Sequence, residues 1–151
     1  MNLLAAIRPD SWNFPLFLHV LGAMILVGAT LTSGSLFALA RGDIRLLRLG
    51  YWTLLAGALP AYVVMRIGGQ WIYSMEGLDD APIDSAWTTI GFVVADAGAV
   101  ALVVALIVGG IGVRRLGDGK GGGLLKATMV LTLLLLVALV VAVWAMTAKP
   151  D

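Results

Sequence analysis

A chain of 151 residues with 60% hydrophobic and only 13% charged residues, and a mean hydropathy of +0.98, has too little charge to clothe a soluble domain of this size. Its formal net charge of +1 offers no basic face for nucleic acid, and the lack of cysteine excludes disulfides, zinc–thiolate sites, iron–sulfur clusters and cysteine nucleophiles. The composition is that of an integral membrane protein solvated by lipid tails, folded as one domain over residues 1–151.

Residues 1–11 form a short amphipathic leader in which Pro9, Asp10 and Ser11 supply a helix-start signal. The first apolar span covers about 14–40. Ala38, Leu39 and Ala40 have the small-x-small form of a cleavage site, but the apolar run before them is too long for a signal core. Arg8 and Asp10 do not make a clean basic region either, so the span is expected to remain in the mature protein. On a 3.6-residue period its only histidine, His19, shares a face with Gly22, Ala23, Leu26, Thr30 and Ser33. Small and weakly polar stripes favour close helix contact in membranes, so this face should look into the bundle and carry His19 with it.

Arg41, Arg45 and Arg48 against Asp43 then mark a basic, cytoplasmic loop. The second span, about 50–74, contains Pro60, which removes a backbone donor and frees a carbonyl one turn earlier; a kink is expected near 56–60. Beyond it lies Arg66, on the face of Leu59, Tyr62, Val63, Gly69, Gln70 and Tyr73. A charge at membrane depth costs roughly 3 to more than 10 kcal/mol depending on how it is measured, so Arg66 requires a partner or a watery cavity.

The connection over 76–84 carries Glu76, Asp79, Asp80 and Asp84 and no base, and is expected to face outward. The third span, about 87–113, follows an Asp84 or Ser85 cap and contains Asp96. Residues 114–123, with Arg114, Arg115, Lys120 and many glycines, form a second basic loop on the cytoplasmic side. The fourth span, about 124–146, is the most uniformly apolar; its polar pair Thr128 and Thr132 is one turn apart, and the helix is expected to pack against lipid and neighbours.

The fold expected is therefore all-α: a four-transmembrane-helix bundle with both termini outside and two basic cytoplasmic loops, multi-pass in a bacterial inner membrane. Trp12, Trp71, Tyr73, Trp87 and Trp144 fall at the outer ends, and Tyr51 and Trp52 at an inner one, as interfacial aromatic belts do. The halves share a plan of helix, basic glycine-containing loop and helix, although residue-level similarity between them is weak.

Depth brings the polar residues to one level. At about 1.5 Å per residue, Arg66 lies roughly 12 Å from the outer end of its helix, Asp96 roughly 13 to 16 Å and His19 roughly 8 Å. Arg66 and Asp96 sit on consecutive antiparallel helices, so an ion pair between them is geometrically natural and would offset part of the cost of each charge. The candidate polar cluster is His19, Tyr62, Arg66, Gln70, Tyr73 and Asp96. Two readings stand for the pair: a structural tie that fixes the register of two helices, or a polar cavity for a ligand, cofactor or proton. For His19 the readings are a satisfied interior side chain, a ligand to haem b iron or another metal, and a proton carrier. Haem would need Met24, Met65, Met75, Met129 or Met146 as second ligand, an open position, or His19 of a second protomer.

Gly109, Gly110 and Gly112 follow no strand, and residues 117–123 lack a Walker lysine–serine pattern, so neither is a nucleotide site. No catalytic constellation or metal site stands out, and the acids over 76–84 are most simply solvated.

The run Phe17, Leu18, His19, Val20, Leu21, Gly22 and Ala23, followed by Val27 and Gly28, resembles the first helix of several groups of small bacterial membrane proteins with a leucine–histidine element. These are predicted integral membrane proteins of unknown function and, more distantly, copper-resistance D-like and membrane protoporphyrinogen-oxidase-like groups. Residues 66–76 with 87–96 look like the unknown-function group, a resemblance that covers most of the chain. The distant groups imply haem or copper roles that use further histidines, and His19 is the only histidine here.

The first function expected is a non-enzymatic accessory or self-associating membrane component, with the bilayer, a further copy or another membrane protein as partner. The alternatives are a redox protein holding haem b or a quinone near His19, and a small proton-coupled transporter.

Overall fold

The computed structural model describes residues 9–77 and 86–149. The expectations for most of the leader, for Asp79, Asp80 and Asp84, for the Asp84 or Ser85 cap and for the last two residues lie outside the described residues. Four stretches are long and apolar enough to cross a membrane: Asp10–Leu39, Ile44–Met75, Ala86–Asp118 and Gly122–Ala148. They comprise helices α1 (Asn13–Leu39), α2 (Ile44–Thr53), α3 (Leu59–Met75), α4 (Ala86–Arg115) and α5 (Gly122–Ala148), with α2 and α3 joined by a π turn, Leu54–Ala58.

The helices outrun the apolar stretches that announce them. The second span starts at Ile44 rather than near residue 50, because the Asp43 side chain accepts a hydrogen bond from the Arg45 backbone N–H at 2.8 Å and so caps α2. Arg45 and Arg48 thus ride on helix, and only a short left-handed turn, with φ of 43° at Arg41 and 95° at Gly42, separates α1 from α2. At the other end α4 continues through Arg115, and α5 begins at Gly122, which places Lys126 in its first turns.

Proline explains the π turn. The ring of Pro60 has no N–H to donate and would press on the carbonyl of Ala56 in a regular helix. The chain responds by widening one turn just before it, over Leu54–Ala58, where the kink was expected.

α1 is central: it packs along α3 on one side and α5 on the other, while α4 packs along α5. α3 and α4 touch at few positions, and α2 reaches α4 at the opposite end. The result is an incomplete ring in the order α3, α1, α5, α4, with a thinly packed seam between α3 and α4. Leu26, Leu54, Leu102 and Leu125 are fully buried along its inner line.

The α1 stripe faces inward as its period requires. Gly22, Leu26, Thr30 and Ser33 are buried; Thr30 Oγ1 donates to Leu26 O at 2.9 Å, and Ser33 Oγ crosses to Gly50 O at 2.8 Å. Thr128 and Thr132 are also fully buried, donating to Leu124 O and Thr128 O, so α5 turns its polar pair toward the core and not toward lipid. The reason is local: a threonine that returns its hydroxyl to its own helix leaves only a methyl-like surface for its neighbours.

Candidate functional site

Two glycine notches set where α1 meets α3. A Cβ on Gly22 would stand 2.5 Å from the Met65 backbone nitrogen, and one on Gly68 would stand 2.5 Å from that of His19. Backbone therefore lies on backbone, the close approach that small residues permit. Gly69 extends the notch, since a Cβ there would meet the His19 ring at 2.8 Å.

Into that space His19 directs its imidazole, and Nδ1 lies 2.9 Å from Met65 O. A carbonyl can only accept, so Nδ1 carries the hydrogen. In the neutral ring this leaves the lone pair on Nε2, the arrangement in which a histidine can ligate a metal or take up a proton.

The next residue, Arg66, faces a different neighbour. Its Nη2 lies 2.9 Å from Asp96 Oδ1, across the seam to α4. One turn earlier, the Tyr62 hydroxyl donates to Ala95 O at 3.0 Å. Phe92 completes the set: the guanidinium carbon is 5.8 Å from its ring centroid, and Tyr73 meets the same ring edge-on at 5.1 Å. Nine residues separate Arg66 from the Met75 end of α3 and ten separate Asp96 from the Ala86 end of α4, so the pair sits ~14 to ~15 Å from that end of the bundle.

The six candidates are thus divided. Tyr62, Arg66 and Asp96 come together, and Tyr73 joins them through Phe92. His19 belongs to the α1–α3 contact, and no hydrogen bond or ion pair links it to Arg66 or Asp96. Gln70 is exposed, with no hydrogen bond to the others. The pair also lies at the rim and not in the interior: the Arg66 side chain is 36% exposed and that of Asp96 66%. The incomplete ring is the cause, since α3 and α4 meet along an outer edge with no further helix over it.

Phe92 and Gly68 are the parts sequence reasoning missed; Gly22 lies on the face expected to make close helix contact. Phe92 is four residues before Asp96 and so shares its face, a spacing that could have exposed it.

At the same end of the bundle, Phe14 meets Trp71 and the Lys149 ammonium sits 5.1 Å over Trp87, joining the terminal ends of the helices. At the opposite end, a cleft of about 530 Å³ opens between α2 and α4, lined by Tyr51, Trp52, Leu55, Leu106, Gly110 and Arg114, among others. The Tyr51 ring lies where side chains on Gly109 and Gly110 would be. Among the described residues, no group of three or more histidine or acidic side chains is placed to hold a metal ion.

Fold and seam together have the build of a multi-pass membrane protein. In comparisons with known proteins, the chain matches no family model, no curated protein and no solved structure.

Proposed function

We propose that the protein is a non-enzymatic accessory or self-associating component of a bacterial inner membrane, in which Arg66 and Asp96 tie the second and third spans together within the outer half of the bilayer. The observation that carries this reading is the 2.9 Å ion pair across the one thinly packed seam of the bundle. Packing contributes little between α3 and α4, so a polar tie has an effect there that it would not have in a tight interface. In lipid, each charge without the other would be an uncompensated burden on its helix.

Topology follows from charge. Arg41, Arg45, Arg48, Arg114, Arg115 and Lys120 share one end of the bundle, which by the positive-inside bias is cytoplasmic and leaves both termini outside. Single-cysteine variants test this without background, because the chain has no cysteine of its own. With a membrane-impermeant maleimide, Ser74→Cys is expected to react from outside only and Gly117→Cys from inside only. Ala97→Cys, beside Asp96, should react from neither side; labelling of Ala97→Cys from the aqueous phase would sink the intramembrane placement.

A second reading, a redox protein with haem b or a quinone beside His19, is favoured by the ring geometry. Nδ1 is committed to Met65 O, and Nε2 is the nitrogen left to ligate. A Soret band in purified protein that disappears in His19→Ala would support it, and a colourless preparation after haem supplementation would count against haem.

A further inference from the structure

We propose that the outer edge of the α3–α4 seam is the surface on which two copies of this chain meet, with Arg66 of each copy pairing with Asp96 of the other across a two-fold axis. The inference rests on the reading that this edge faces hydrocarbon.

Its first support is the charge left over within one chain. Nη2 and Oδ1 meet at 2.9 Å, while a guanidinium has five donors and a carboxylate two acceptor oxygens, more than one pair can fill. Phe92 covers one face of the guanidinium. Tyr62, the other polar neighbour, gives its hydroxyl to Ala95 O, and Asp96 remains two-thirds exposed. Lipid tails have no donor to offer that carboxylate, so the group demands a polar surface from outside the chain.

Its second support is the character of the surroundings. Along α4, Val93, Asp96, Ala97 and Val100 form one outward stripe, with Val93 at 60% and Val100 at 66% exposed; Val63 and Ile67 flank it from α3. The stripe is apolar on either side of the ion pair until Gln70 on α3 and Thr89 on α4, one turn further along, and the small side chain of Ala97 beside Asp96 allows another helix to come close.

Charge complementarity identifies the occupant. A surface with one charge would call for a different molecule of opposite charge. This surface carries both signs side by side, so it complements itself when turned through a two-fold axis: Arg66 meets the second Asp96 while Asp96 meets the second Arg66. Two half-satisfied pairs become one network of four alternating charges.

The test uses purified protein in liposomes, where only copies of this chain are present. Under oxidising conditions Val93→Cys and Val100→Cys are expected to give disulfide-linked dimers, whereas Met24→Cys, equally outward on α1, stays monomeric. Arg66→Asp and Asp96→Arg, each introduced into Val93→Cys, place like charges in both copies and should abolish its cross-link. Mixed together, the two restore both opposite-charge pairs between the copies, though not the pair within each chain, and should return a cross-linked heterodimer. Wild-type protein at low density in liposomes should photobleach in two steps per spot. Single-step bleaching, or cross-linking at Met24→Cys equal to that at Val93→Cys, overturns the dimer even if the charge variants do not fold. A monomer in which Ala97→Cys still resists aqueous label refutes this interface alone, while aqueous labelling of Ala97→Cys removes the reading beneath it.

Discussion

Gly68 and Gly28 lie on helices of the same bundle and differ only in what stands beside them, which makes them a controlled pair. A Cβ at Gly68 would press on the backbone of α1 at Pro15 O and His19 N; one at Gly28 would meet nothing within 4 Å. Gly68→Ala is therefore expected to cost about 2 to 3 kcal/mol, because overpacking against backbone cannot be relieved by a rotamer change. Gly28→Ala should be neutral or stabilising by up to about 1 kcal/mol, from the smaller conformational freedom of alanine in the unfolded chain. Unfolding in bicelles followed by steric trapping measures both. Equal losses would show that α1 and α3 are not held at backbone contact. The same notch fixes His19, so Gly68→Ala should also disturb the Nδ1 contact to Met65 O.

Among the elements, the second span is the one that is not a simple rod. Its π turn holds one residue more than an α-helical turn, and Pro60 is what keeps a regular turn from closing there. Removing Ala56 in the Pro60→Ala background should let an α-helical ladder run through while keeping Arg66 at its present phase toward Asp96. Monodisperse, folded protein by size exclusion is the expected outcome. Removal of Leu31 from α1, which has no extra residue to lose, should turn Pro15, His19, Gly22 and Thr30 about 100° relative to Ser33 and Phe37, and abolish folding. If both deletions are equally disruptive, the π turn is not a spare residue.

Across the whole molecule, the sequence makes the architecture legible and the openness of the ring hidden. Hydropathy announces four spans because only apolar helices can cross hydrocarbon with every backbone group satisfied. Period places Gly22, Leu26, Thr30 and Ser33 on the inner face of α1, and rise per residue brings Arg66 and Asp96 level. Neither period nor depth says which helices are neighbours. That order puts α5 and not α4 beside α1, leaves the ion pair at a rim, and separates it from His19, all of which depend on tertiary packing. The inward placement of Thr128 and Thr132 was open for a related reason: in a helix apolar all round, no periodicity distinguishes the face that meets α4 and α1 from the face that meets lipid. One histidine and one ion pair are residue types shared by several chemistries, so no motif in the sequence singles one out.

What unites these scales is the claim that Arg66 and Asp96 act as one unit holding α3 to α4. A double-mutant cycle in lipid bilayers tests it most directly. Arg66→Ala and Asp96→Ala should each destabilise the fold by about 2 to 4 kcal/mol, because each strands a charge in a poor solvent. The double variant should be less destabilised than the sum of the two by at least about 1 kcal/mol, since neither charge then remains to be stranded. Purely additive losses would contradict the account.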